Sequence, residues 1–333
     1  MSTTTRRAFL RQSLAMAGVT SLAARSIGGQ TAPHAKRVFA AGPPAAVLVY
    51  VLAPEALMGW PSSMDEAALA MLGQAARRLP TLGRLAGRGS TVSLERLVAL
   101  APDLVLDVGN VDATHSSMAE RVRSQTGLRY ELLDGRLADS GAQLRRVAGW
   151  LNLAERGEQL AAHADRLIAR VTAGRGQRAS RRLYLARGAD GLETGLTGSI
   201  NVEVLEFVGA RNVAASAGAG RIARVSLEQV IGWDPEVIVT QDAAFARTVR
   251  TDPVWRTVRA VRESRIWLAP IVPFGWLDGP PGVNRLIGAL WLAQRLDAAA
   301  PAAIRDDVRA FYDAFYRVTL SPAEADRLLD IPV

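Results

Sequence analysis

Two tryptophans, one phenylalanine and one arginine stand in loop-like sequence where they could form the wall of a binding site. Trp60, Phe274 and Trp276 adjoin proline or glycine rather than following a helical stripe, and Arg187 directly follows an apolar run. Aromatic rings suit large flat ligands, and a guanidinium suits an anionic ligand. These residues predict the binding of a sizeable anionic molecule. The other candidate ligand contacts are rigid or polar loop residues: Pro43, Pro44, Asn110, Thr197, Ser199 and Asp242.

Each candidate also has a purely structural interpretation. Pro43 could start a helix, since proline is favoured at the first helical position, and Ser199 could be a helix N-cap rather than an anion contact. Trp60 and Trp276 could belong to the core. Arg187 could be one of many surface arginines.

The sequence contains no recognisable catalytic or metal-binding motif. It has no cysteine, and His115 and His163 are its only histidines after residue 35. It has no G-x-G-x-x-G after a strand, no G-x-S-x-G and no H-E-x-x-H. We therefore predict that the chain is not an enzyme, has no intrinsic cofactor and holds no transition metal through its own side chains. A metal already enclosed by a chelator, or an oxyanion, stays open as a ligand.

An internal repeat indicates how these residues are positioned. Residues 92–109, VSLERLVALAPDLVLDVG, return as residues 225–242, VSLEQVIGWDPEVIVTQD. Each copy predicts a helix that starts at Ser93 or Ser226, a turn closed by Pro102 or Pro235, and then a short strand. One unit used twice, far apart, predicts two similar lobes rather than a solenoid.

The rest of each half follows the same order of strand, loop, helix and short strand. We therefore predict an α/β fold with two Rossmann-like lobes, each built on a parallel sheet, and a ligand cleft between them. A long helical stretch, 140–172, with a break around 151–154, joins the halves. The predicted division is an N-terminal lobe at 36–139, one long connector helix at 140–174 and a C-terminal lobe at 175–333.

The N-terminus predicts export. Arg6 and Arg7, followed by Phe9-Leu10 and an apolar stretch of about eleven residues, fit a twin-arginine signal. We assign residues 1–35 to a cleaved signal peptide and expect a soluble periplasmic protein. Because a lipid anchor requires a cysteine, we expect no lipid-anchored form.

The net charge of +8 does not indicate a nucleic-acid partner. Residues 1–35 carry four arginines and no acidic residue, so the remainder is near +4. Its arginines alternate with acids instead of forming basic runs with interleaved aromatics.

Taken with the export signal, the repeated Ser-Leu-Glu unit resembles the periplasmic binding proteins for ferric siderophores, cobalamin and haem, the cluster A or class III solute-binding proteins. The resemblance covers about residues 37–330. The segment 273–286, PFGWLDGPPGVNRL, resembles a subgroup described as binders of iron or metal chelates.

The resemblance implies the function. It implies a monomeric solute-binding component of an ABC importer, which captures a metal chelate between its lobes and delivers it to a membrane permease. The first candidate for the chelate is a ferric siderophore. It also implies that Glu95 and Glu228 dock onto the permease, one from each lobe. A glutamate in the first turn of a helix is also stabilised by the helix dipole alone. The alternatives are a binding protein for an oxyanion such as molybdate, an exported cofactor-bearing enzyme, and a binding module without a permease.

Overall fold

The structure is a computed structural model that describes residues 34–86 and 89–329. The predicted twin-arginine segment lies outside the described residues, except for its last two positions. None of the described helices is both long and apolar enough to cross a bilayer.

The first lobe is built on a three-stranded parallel sheet in which the repeat strand is central. The strand order is β1-β2-β3, and Leu106 of the middle strand pairs with Ala40 on one side and Glu131 on the other. The strands are β1 (Val38–Ala40), β2 (Leu104–Gly109) and β3 (Tyr130–Asp134), and the helices are α1 (Pro43–Leu52), α2 (Glu66–Leu72), α3 (Gln74–Arg77), α4 (Leu94–Leu100) and α5 (Ala113–Thr126).

The connector is a helical hairpin, α6 (Ser140–Leu151) followed by α7 (Ala154–Ala173). The break expected at 151–154 is present, and it reverses the chain because Asn152 adopts a left-handed conformation with φ of 60°. The two helices then pack side by side, so closely that a Cβ on Gly157 would lie 2.3 Å from that of Ala148. The link to the second lobe is therefore α7, the long arm of the hairpin, rather than one continuous helix.

The second lobe repeats the parallel arrangement and adds a small antiparallel pair of strands. Its four-stranded parallel sheet has the order β6-β4-β8-β9, and the antiparallel pair β5-β7 stands beside it. The strands are β4 (Arg182–Ala186), β5 (Glu193–Gly195), β6 (Arg211–Asn212), β7 (Ile222–Arg224), β8 (Val237–Thr240) and β9 (Ile266–Leu268). The helices are α8 (Glu203–Phe207), α9 (Leu227–Trp233), α10 (Ala243–Thr248), α11 (Arg259–Arg262), α12 (Arg285–Leu296), α13 (Arg305–Phe311) and α14 (Pro322–Leu329), and a π-helical turn (Tyr312–Tyr316) follows α13.

The two copies of the repeat have the same local structure. Ser93 caps α4 by accepting a hydrogen bond from Arg96 N, and Ser226 caps α9 by accepting one from Gln229 N, both at 3.2 Å. Each helix ends at a left-handed residue before the proline, and a parallel strand follows. The mixed α/β fold with parallel sheets is thus as predicted.

One hydrophobic core crosses the boundary between the lobes. Helix α1 is apolar on all sides, with eight of its ten residues buried, which is typical of a helix enclosed by other elements. Its residues share one cluster with the connector, α12 and the aromatic C-terminal segment. The lobes are therefore not independent folding units, and their division at 139/140 and 174/175 stays a prediction.

Candidate functional site

A cavity of about 630 Å³ lies between the carboxyl ends of the two sheets. In open parallel sheets, ligands bind beyond the carboxyl ends of the strands, where the loops gather. Eleven of the 24 described residues that line this inter-lobe cleft have polar or charged side chains. The cleft can therefore offer hydrogen bonds and charge to a ligand of moderate size.

The first-lobe wall begins with a helix start that has few donors. Gly42, Pro43 and Pro44 follow β1 and line the cleft, and both prolines are half-buried. Gly42 is the N-cap of α1, and no side chain caps this end. The helix dipole points its positive end at the cleft, but the two prolines lack the N–H groups that usually hold an anion there.

Asp107, near the end of β2, brings a buried carboxyl to the same wall. It is 3% exposed, and its Oδ2 accepts a hydrogen bond from the hydroxyl of Tyr130 at 2.9 Å. Burial raises the pKa of Asp107, while the bond from Tyr130 and the nearby His115 act in the opposite direction. His115 also lines the cleft, and its Nδ1 lies 2.8 Å from Oδ1 of Asp112.

Arg187 is the principal cation on the second-lobe wall. It directly follows β4, and its side chain is 21% exposed. Its Nε lies 2.6 Å from Oδ2 of Asp278, and its Nη1 lies 3.8 Å from Oε2 of Glu193. That Nη1 is buried and has no hydrogen-bond partner among the described residues. The guanidinium is thus held in place and keeps a donor for a further acceptor.

The loop that carries Asp278 is fixed by amide side chains. Gln241, directly after β8, accepts hydrogen bonds from the backbone N–H groups of Leu277 and Asp278 and donates to the carbonyl of Asp278. Asn201 donates to Oδ1 of Asp278 at 2.8 Å. Asp278 is therefore placed before any ligand arrives, and it places Arg187 in turn.

Two polar bridges tie the lobes together beside the cleft. Asn110, in the loop after β2, donates to the carbonyl of Gly198 at 2.9 Å and accepts from the N–H of Ile200 at 3.3 Å. Arg285 is 1% exposed and donates to the carbonyls of Gly135 and Ile200 and to the carboxylate of Glu203. Both bridges restrict relative motion of the two walls.

Half of the predicted ligand contacts line the inter-lobe cleft: Pro43, Pro44, Asn110, Arg187 and Ser199. The side-chain amide of Asn110 already uses its Nδ2 as a donor and its Oδ1 as an acceptor in the bridge between the lobes. Asp242 lines an adjoining pocket of about 340 Å³, where it also caps α10. Trp60 and Phe274 line a third pocket of about 350 Å³, next to the cleft rather than in it.

Two of the predicted contacts do not reach any of these cavities. Trp276 is completely buried, and its Nε1 donates to the hydroxyl of Tyr312, so the prediction of a cleft contact was wrong. Burial of a tryptophan ring is favourable when its N–H finds a hydrogen-bond partner in the core, so Trp276 is not exposed on its loop. Thr197 is exposed on the loop before Ser199 and lines none of the three pockets described here, so its contact with a ligand stays a prediction.

Several cleft residues were not singled out from the sequence. They are Arg84, Asp107, Asn201, Arg221, Arg224 and Asp278. Arg221 and Arg224 stand in the glycine-rich run GAGRIAR, which was a signal for a loop close to a ligand. Within the described residues Arg221 has no carboxylate partner, while Arg224 pairs with Asp190. No group of three or more acidic or histidine side chains in the described part of the chain is arranged to hold a metal ion.

Glu95 and Glu228 occupy equivalent exposed positions in the two lobes. Each stands in the first turn of its repeat helix, and neither forms an ion pair within the described residues. The pKa of Glu95 is lowered by its own backbone N–H and by Ser93, and that of Glu228 by Ser226 and its own backbone N–H. Both are therefore charged at neutral pH and available to a partner.

Comparison with known proteins gives a consistent set of relatives. Residues 74–271 match the periplasmic binding protein family. The molybdate-binding protein MolA of Haemophilus influenzae is 33% identical over 129 residues, which cover 37% of this chain and 36% of that protein. The vitamin B12-binding protein of Salmonella typhimurium is 32% identical over 198 residues, which cover 56% of this chain and 66% of that protein.

Among solved structures, an ABC transporter solute binding protein from Sulfurospirillum deleyianum is similar over nearly the whole chain. The TM-score is 0.78 at 26% sequence identity, and the match covers 89% of this chain and 94% of that one. These relatives are solute-binding proteins, not enzymes.

Proposed function

Because this chain belongs to the periplasmic binding protein family, we propose that it is the solute-binding component of an ABC importer. In this proposal it captures a metal chelate in the inter-lobe cleft and delivers it to a membrane permease. The first candidate for the chelate is a ferric siderophore. The observation that carries the proposal is the buried Nη1 of Arg187, which has no hydrogen-bond partner among the described residues and lies in a cleft between two parallel sheets.

The size of the cleft supports a chelate. About 630 Å³ is within the range of roughly 300–1,000 Å³ in which proteins hold drug-sized ligands. A bare oxyanion would fill only a small part of it. The donor-poor start of α1 at Pro43 and Pro44 supports the same choice, since a small anion is usually held by free N–H groups at a helix start.

The charge of the cleft supports an anionic ligand that also carries donors. Arg187 and Arg221 offer N–H groups, while Asp107 and Asp278 offer acceptors. A chelator that presents both carboxylate or phenolate oxygens and amide N–H groups would satisfy both sets. Burial of such groups is favourable only when each finds a partner.

An oxyanion is the second candidate, because one relative named above is a molybdate-binding protein. In that case Arg221, Ser199 and Asn201 would supply the donors in place of α1. Competition between molybdate and a ferric chelate for the same protein separates the two proposals.

Delivery would use both lobes. Glu95 and Glu228 are exposed, charged and equivalent, so they suit basic residues on the two halves of a permease. We further propose that the protein acts as a monomer in the periplasm after twin-arginine export.

The experiment is a thermal-shift panel on residues 36–333 with ferric siderophores, cobalamin, haem and molybdate. A ligand at 100 times its dissociation constant adds about 2.7 kcal/mol to the free energy of unfolding. Arg187→Met should lower the affinity for the stabilising ligand by about 10- to 150-fold, which corresponds to the loss of one hydrogen bond to a charged group. Arg211→Met, on an exposed strand residue far from the cleft lining, is the matched control. A panel with no stabilising ligand contradicts the proposal.

A further inference from the structure

The pocket next to the cleft differs from the cleft in chemistry. This apolar side pocket is formed by α1, the loop that follows Trp60, and the loop of residues 271–274. Among the sixteen described residues that line it, only Ser62, Ser63 and Asp65 have polar side chains, and Asp65 is already the N-cap of α2. The pocket therefore offers surface contact and almost no hydrogen bonding.

The walls of the side pocket are aromatic and fixed. The rings of Trp60 and Phe274 lie 6.2 Å apart between centroids, and Trp60 also contacts Tyr50 at 5.3 Å. The Nε1 of Trp60 donates to the carbonyl of Ala76 at 3.0 Å, which fixes the indole. With its N–H satisfied, the indole presents only apolar surface to the pocket.

The side pocket is continuous with the cleft and open to solvent. Pro43, Gly279 and Pro280 line both cavities. Ile271, on the lining of the side pocket, is 51% exposed, which is unusual for a large apolar side chain, and Ser63 beside it is exposed as well. A molecule that sits in the cleft can therefore extend past Pro43 into the side pocket.

We infer that the side pocket is a second subsite that receives an apolar or aromatic arm of the ligand whose anionic part sits in the cleft. The inference rests on the proposed function and narrows it to an amphiphilic chelate. The volume of about 350 Å³ fits this occupant, since an apolar cavity of about 150 Å³ holds one benzene ring.

Two chelates that differ only in an apolar arm test the subsite. The ferric complexes of 2,3-dihydroxybenzoylglycine and 2,3-dihydroxybenzoylphenylalanine carry the same charge when they hold equal numbers of chelators, and the second adds a benzyl group to each chelator. Burial of that group should make its complex bind about 10- to 100-fold more tightly in titration calorimetry. Equal affinities for the unaltered protein would overturn the inference.

Filling the pocket should abolish this preference. Ala68 lies on α2, is 4% exposed and lines the side pocket, so Ala68→Leu occupies it. Ala70→Leu makes the same change on the exposed face of the same helix and should keep the preference. Ser62→Phe closes the pocket from its half-buried rim and serves if Ala68→Leu does not fold. A preference that survives in the filled variants overturns the inference.

A dye separates failure of this inference from failure of the proposed function. If neither chelate binds, the chelate proposal is contradicted, and 1-anilinonaphthalene-8-sulfonate then tests the pocket alone. Affinity for the dye that is about 10-fold weaker in Ala68→Leu than in Ala70→Leu supports the subsite. Equal affinity in the two variants overturns it.

Discussion

Arg285→Met tests whether one buried guanidinium holds the two lobes together. Arg285 starts α12 and donates to carbonyl oxygens on both sides of the boundary, at Gly135 and Ile200, and to Glu203 at 2.8 Å. Methionine keeps much of the apolar stem but leaves the Glu203 carboxylate and both carbonyls without this donor. Removing one partner of a buried ion pair usually costs about 3–5 kcal/mol of unfolding free energy.

The loss is measured by thermal unfolding of residues 36–333 at neutral pH. At about 2–4 °C per kcal/mol, the melting temperature should fall on the order of 10 °C. Arg295→Met is the matched control on the same helix, where the guanidinium lies 5.3 Å over Trp291 and 5.8 Å over Trp267. A cation–π contact of this kind is worth about 1 kcal/mol, so the control should lose much less.

A second substitution separates lost packing from the unpaired charge. Glu203→Gln in the Arg285→Met background removes the carboxylate that lost its partner, and it should recover part of the stability. If Arg285→Met costs no more than Arg295→Met, the inter-lobe bridge does not stabilise the fold and the reasoning is refuted.

Three other predictions concern titration, docking and export. Burial raises the pKa of Asp107, so the folded state favours the neutral carboxyl, and the stability that this carboxyl contributes at low pH is lost as the pH rises through the folded pKa. Asp107→Asn should therefore gain stability relative to the unaltered protein between pH 4 and pH 7, as measured by urea unfolding. A constant difference in unfolding free energy between the two proteins over this range would contradict the prediction. Glu95→Ala and Glu228→Ala should each leave ligand affinity unchanged and weaken permease binding in a pull-down, most in the double variant, whereas full binding by the double variant excludes docking. Replacing Arg6 and Arg7 by lysine should retain the precursor in the cytoplasm, as fractionation would detect, and normal export would rule out the twin-arginine assignment.

The repeated unit was predictable because its structure is set by neighbouring residues. Ser93 and Ser226 stand just before apolar stretches, a proline follows each helix, and β-branched or leucine residues follow the proline. Helix caps, turns and short strands depend on such local chemistry, so the sequence alone identified the structure of both copies.

Burial of individual side chains was less predictable because it depends on distant partners. Trp276 stands in a loop whose local sequence favours exposure, and its burial is decided by Tyr312, 36 residues later. Nothing near Arg285 distinguishes it from the many surface arginines, since the Glu203 carboxylate and the Gly135 carbonyl that it binds lie 82 and 150 residues away. Trp60 was predicted to line the cleft, but the fold buries it to 3% exposure and places it on a separate pocket.

We propose that a metal chelate sits in the inter-lobe cleft, and the anomalous scattering of iron tests this proposal most directly. Crystals of residues 36–333 grown with the ferric chelate that stabilises the protein best are measured at the iron absorption edge. We expect one anomalous peak in the cavity between Asn110 and Arg187, with chelator density in contact with the Arg187 guanidinium. An iron peak elsewhere on the protein, with no chelator density in the cleft, would contradict binding of the chelate between the lobes.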